Sequence, residues 1–213
     1  MGQSLEQLNQ LNQDLSGNDQ VWVNTSRRLM TWHQEIRTLL LPNGPEPLHV
    51  RVSGSWGIAC NAIHFIDLVA WWTQASLQSV IPTRLGEWVN SKRGGFQDVF
   101  GSLQLSYSDG SELEFCCVPG TDPTQITVVT AQGEWVIEES LGRCSGPNGQ
   151  KLHGQITYQS ALTAPLVRRI LQEGRCDLPT LAESTAQHRP LLITLLQHWN
   201  QSQGCKDSVV PIT

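Results

Sequence analysis

The sequence predicts an α+β domain: a largely antiparallel sheet with helices packed on one face. Three observations carry this. Short runs of strand character follow one another between residues 77 and 159, some of them joined by tight-turn signals. Ahead of them, residues 58–72 are apolar almost all round, as a buried helix is. Behind them, two segments of helical period close the chain. Hairpins in series with helices at either end pair as an antiparallel sheet and cover one of its faces.

In chain order, residues 3–15 place Leu5, Leu8, Leu11 and Leu15 on one helical stripe. A Gly17-Asn18-Asp19 turn and a brief strand, Val21-Trp22-Val23, come next. Residues 26–41 read as a helix stopped by Pro42 and the Asn43-Gly44-Pro45 turn. Residues 48–52 alternate apolar and polar, as a half-buried strand does. After the buried helix, strands are expected at 77–81, 86–90, 101–107, 111–118, 125–131, 134–139 and 154–159. Turns at 108–111 and 131–133 join two pairs of them. A helix at 163–173 ends on Gly174, and another at 179–201 turns Leu191, Leu192, Leu195 and Leu196 inward. The segments 121–123 and 144–149 read as loops.

The chain's 213 residues are 39% hydrophobic and 15% charged, enough aliphatic material for a core. A formal net charge of −5 and scattered Lys and Arg argue against a nucleic-acid partner. No apolar run is long enough to span a bilayer, and residues 1–19 lack a signal-peptide pattern, so a cytoplasmic protein is expected. The six cysteines have no zinc-type spacing and read as small buried hydrophobes; no metal is implied. Eight tryptophans are unusual, and some are expected to line a groove or interface. Glu138 and Glu139, at a strand end, read as solvated surface. Gly54-Ser55-Trp56-Gly57 leads from strand to helix and reads as a tight connection; no G-x-G-x-x-G or other phosphate-cradling motif occurs.

The informative segment is Trp56 to Leu68, where Cys60, His64, Asp67 and Trp71 share one helical face. A buried imidazole and carboxylate each require a hydrogen-bonding partner, from the fold or from something bound. Spacing alone leaves His64 open between a structural and a functional role.

Asn61-Ala62-Ile63-His64-Phe65-Ile66-Asp67 resembles the His-x-x-Asp helix of the Gfo/Idh/MocA family of NAD(P)-dependent sugar and polyol oxidoreductases. Val21 to Asn24 followed by Ser26 to Thr31 is similar to the strand leaving that family's Rossmann domain and the Arg-containing start of the next helix. Residues 178–192, with Leu181-Ala182-Glu183-Ser184 and His188-Arg189, resemble its C-terminal helix. The resemblance covers about residues 4–201, nearly the whole chain. The resemblance implies a dihydrodipicolinate-reductase-like C-terminal domain over 25–205, preceded by the last helix and strand of a Rossmann domain in 1–24, with a tail at 206–213.

It also implies His64 as general acid/base, because imidazole titrates near neutrality. Asn61, Arg28 and Trp56 would bind substrate, with Arg27 the alternative to Arg28; Asp67 would cap or orient within the helices. Two departures stand out. The Gly-rich fingerprint and the E-K-P lysine of the family are absent, and Cys60 stands where many members place Asp. NAD or NADP would therefore not be bound by this chain alone.

The first reading is the substrate-side half of such an enzyme, acting on a sugar or polyol with a separate Rossmann-domain chain. The others are a non-catalytic dimerisation or scaffold module and a sugar-binding module. A homo-oligomer through the sheet face is expected.

Overall fold

In the computed structural model, residues 2–18 and 20–213 are described; the expected turn at 17–19 therefore falls partly outside them, at Asp19. The helices are α1 (Leu5–Asp14), α2 (Thr31–Leu40), α3 (Ile58–Thr73), α4 (Gln159–Glu173) and α5 (Leu181–Gln203). The strands are β1 (His49–Gly54), β2 (Leu77–Asn90), β3 (Gln97–Tyr107), β4 (Glu112–Cys117), β5 (Gln125–Thr130), β6 (Gly133–Glu138), β7 (Arg143–Ser145) and β8 (Lys151–His153). They form one sheet in the order β2-β3-β4-β1-β5-β6-β7-β8. The fold is α+β, as expected, and mostly antiparallel; the exception is β1, which enters between β4 and β5 and runs parallel to β4.

The core follows from the patterns. On β1, Val50, Val52 and Gly54 point inward and alternate with His49 and Arg51 outside. Phe65, Ile66, Leu68, Val69 and Trp72 bury α3, which packs on β3, β4 and α5. Tyr107 of β3 donates its hydroxyl to the Ile66 carbonyl at 3.0 Å. α5 opens on a capping box, Thr180 with Glu183, and continues through Pro190 while Leu191, Leu192 and Leu195 are buried.

Several expectations are corrected. Residues 26–41 are not one helix: a 3-10 turn, Ser26–Leu29, is separated from α2 by Met30 in extended conformation. That break faces Arg27 and Arg28 toward different partners. The runs at 77–81 and 86–90 are one bulged strand, β2, which tolerates Pro82 because it is a sheet edge. No strand forms over 154–159; β7 and β8 form instead around the loop expected at 144–149. Val21-Trp22-Val23 keeps only an isolated bridge, Trp22 with Thr180. Residues 206–213 are tied in rather than trailing: Val210 is buried, and the Gln97 amide donates to the Pro211 carbonyl at 2.6 Å.

Candidate active site

The site is built where α3, the Ser26–Leu29 turn and the end of β6 meet. The N-terminus of α3 needs an acceptor for its free amides, and Asp98 of β3 supplies it: its carboxylate accepts from Ala59 N at 2.9 Å. Gly57 makes room, since a Cβ there would lie 1.8 Å from Asp98 Oδ2. One turn on, Asn61 Nδ2 donates to the Gly57 carbonyl at 2.9 Å, and the Thr213 hydroxyl donates to Cys60 Sγ at 3.2 Å.

Next along α3 is His64. Burial pushes its imidazole down to about 4, and the nearby Arg27 cation adds to the effect; Glu139 opposes it. The ring is therefore neutral at pH 7, with a lone pair available. His188 of α5 is also depressed to about 4, first by burial, and its Nδ1 donates to the Ser184 carbonyl at 2.8 Å. His64 is close enough to His188 to add to that depression.

Two arginine–carboxylate pairs, Arg28 with Asp67 and Arg27 with Glu139, tie the 3-10 turn to the rest of the fold. Arg28 gives Nε (3.0 Å) and Nη2 to the fully buried Asp67, which also accepts from the Thr25 hydroxyl at 2.7 Å. Arg28 thus locks the 3-10 turn to α3, and Nη1 lies 3.5 Å from the Asp177 carbonyl. Its two strongest donors are committed within the fold rather than offered to a ligand. Arg27 instead grips Glu139 with Nε at 2.8 Å and Nη2 at 2.9 Å, and lies 4.1 Å from the Phe65 ring centroid.

Glu139 corrects the sequence reading: it is buried, not solvated surface. It also accepts from His33 Nε2 at 2.8 Å. Burial works to raise its carboxyl, but the Arg27 and His33 hydrogen bonds outweigh that and hold it well below the usual carboxylate range. Its partners lie 112 and 106 positions away, so no local pattern could have found it. Trp56 packs with Phe65 and Phe115, centroids 5.0 and 5.4 Å apart, and its buried Nε1 has no partner. Trp56, Asn61 and His64 thus lie just before or on the first half of α3, whereas Arg28 is set back against Asp67.

Among the described residues no group of three or more His, Cys, Asp or Glu could hold a metal ion, and no helix is long and apolar enough to cross a membrane.

No family model and no curated relative matches the sequence. Solved structures do match its fold. The chain is similar to UDP-N-acetylglucosamine 3-dehydrogenase GnnA of Acidithiobacillus ferrooxidans, at 14% identity and TM-score 0.58, over 90% of this chain and 65% of that one. It is similar to GenD2 from gentamicin A biosynthesis, solved with NAD, at 13% identity and TM-score 0.60, over 89% and 64%. It is also similar to a super-repressor mutant of Gal80p from Saccharomyces cerevisiae, at 11% identity and TM-score 0.58, over 95% and 68%. The chain spans about two thirds of the length of these structures. Its fold is that of the C-terminal domain of Gfo/Idh/MocA-type dehydrogenases.

The dinucleotide that such enzymes use does not fit these residues. A pyrophosphate seat needs free helix N-terminal amides behind a Gly-rich turn. The Gly-containing strand-to-helix junction before α3 is filled by the Asp98 carboxylate, which would repel phosphate.

Proposed function

We propose that this chain is the substrate-side half of a Gfo/Idh/MocA-like oxidoreductase acting on a sugar or polyol hydroxyl. His64 carries the reading: a neutral imidazole on α3, framed by Arg27 and Glu139, in the fold of a dehydrogenase C-terminal domain. His64 accepts the hydroxyl proton at its free ring nitrogen. Asn61 and Trp56 bind the sugar, and Arg27 adds a donor through Nη1, which has no partner among the described residues. Arg28 acts with Asp67 to position the turn that carries Arg27. The redox chemistry belongs to NAD or NADP, held by a Rossmann-type domain outside these residues, and this chain is inactive alone. A cytoplasmic setting agrees with six free cysteines. A homo-oligomer through the open sheet face is part of the same reading.

The test is a mutation in the enzyme reconstituted with its cofactor domain. His64→Ala lowers kcat by about 10²–10⁴-fold; an unchanged kcat removes His64 from the chemistry. With wild-type His64, kcat/KM stays flat from pH 8 down to about 5, because a base depressed to about 4 is not protonated in that range.

The similarity to Gal80p favours a second reading, a sugar-binding or dimerisation module without redox activity. A melting temperature raised by a sugar, together with no NAD(H)-dependent turnover after reconstitution, selects it.

A further inference from the structure

Each of the other α-helices buries at least one side chain, but none of the 15 residues of α4 is buried. α4 is nonetheless apolar on two sides. Leu162, Leu166 and Ile170 form a half-buried side, and the helix rests on the Ser26–Leu29 turn. On the other side Ala164, Val167 and Leu171, with Thr163 beside them, line a shallow open groove, and Leu171 is 80% exposed. A helix with apolar residues on two faces packs against two neighbours. One of this length, interrupted by Pro165, takes its stability from packing rather than from propensity. The outer stripe is therefore shaped to be covered.

Its surroundings narrow what covers it. At the head of α4, Tyr158, 78% exposed, shares a cavity wall with exposed Leu141 and with Glu139. Glu139 holds Arg27, which belongs to the turn that α4 rests on and is near enough to His64 to depress it. The uncovered apolar surface thus runs up to the elements that build the candidate active site. Arg169 and Arg175 are paired with Glu173 and Asp177, whereas Arg168, at the edge of the stripe, has no carboxylate partner among the described residues. The stripe carries no Asp or Glu, so two copies of this chain laid stripe to stripe could not neutralise each other's Arg168. Structures of this fold continue for about a third of their length beyond the part this chain matches.

We propose that the outer stripe of α4, with Tyr158 and Leu141 at its head, is the docking surface for the polypeptide that carries the dinucleotide. That polypeptide meets the stripe with an apolar ridge and sets a carboxylate against Arg168. The proposal rests on the reading of this chain as a substrate-side half, since the cofactor then has to be presented beside His64.

A photo-cross-linker at one position reports what stands on the stripe. Leu171→p-benzoylphenylalanine in the full chain, photolysed in the cells that make it, forms an adduct with a dinucleotide-binding polypeptide, identified by mass spectrometry of the joined peptides. The same label at Ile81, on the open sheet face, does not reach that polypeptide. With the captured polypeptide purified, Val167→Glu and Leu171→Glu each weaken its binding by at least about tenfold. Arg168→Glu weakens it in a salt-dependent way, and Ile81→Lys leaves it unchanged. All four positions are exposed, so the melting temperature of each variant stays that of the wild type. Amides of residues 159–173 slow their hydrogen exchange when the polypeptide binds. An adduct with a second copy of this chain or with a protein that binds no dinucleotide overturns the proposal. So does the lack of any adduct, binding that survives Val167→Glu and Leu171→Glu, or exchange at 159–173 that binding does not slow. None of these readouts needs turnover, so the kcat of His64→Ala still decides the proton-transfer role of His64 whichever way the stripe is decided.

Discussion

At the scale of single residues, the polar interior is organised by two carboxylates that each hold an arginine. Asp67 takes Arg28 and Glu139 takes Arg27, so adjacent residues of one short turn are aimed at different elements. Around them sit His64 and His188, both depressed to about 4. The unfolded chain binds protons on these rings near the ordinary histidine value of 6.5, and the folded one does not. Stability is therefore fully present above about pH 6.5 and declines as pH falls toward about 4. Each ring accounts for at most about 2 kcal/mol between pH 7 and pH 5. The low-lying Glu139 acts at still lower pH, losing its contribution as the carboxylate is finally protonated. Urea unfolding at pH 7 and pH 5 measures the slope, and His188→Gln flattens it if burial of that ring is its source.

At the scale of elements, α3 does most of the positioning, and its N-terminus depends on a residue from another strand. Asp98 of β3 caps Ala59, and Gly57 has no side chain because the carboxylate occupies that space. Gly57→Ala forces the two apart, and loss of the cap costs about 1–2 kcal/mol. Chemical denaturation reads the loss, and Asp98→Asn, which keeps an acceptor oxygen, costs less. The leucine stripe of α1, the alternation on β1 and the apolar α3 were all legible locally, because a period of 3.6 or 2 needs only neighbours in sequence. The split of residues 26–41 was not. Met30 breaks the helix so that Arg28 can reach Asp67, 39 positions on, while Arg27 reaches Glu139.

At the scale of the whole molecule, α3 and α5 cover one face of the sheet and leave the other open. The open face presents cross-strand pairs, His49 with Glu112 and Arg51 with Glu114, around exposed Ile81 (56%) and Val129 (42%). If copies associate through it, light scattering gives a dimer mass. The double variant Ile81→Lys, Val129→Lys then runs as a monomer with its melting temperature preserved, since neither side chain belongs to the core. A monomeric wild type at micromolar concentration would exclude the sheet face as a stable interface.

The sequence by itself determined the α+β class, the hairpin order around the Asp109-Gly110 turn and the buried helix that carries His64, since all of these are written in short-range periodicity and turn chemistry. Only the tertiary structure decided which arginine is committed to Asp67, where β1 enters the sheet, and that Glu139 is an interior carboxylate. Each of those depends on partners dozens to more than a hundred residues apart. A charged side chain at a strand end looks like surface until the fold brings a guanidinium and an imidazole to it, and only burial with both partners in place makes it part of a site.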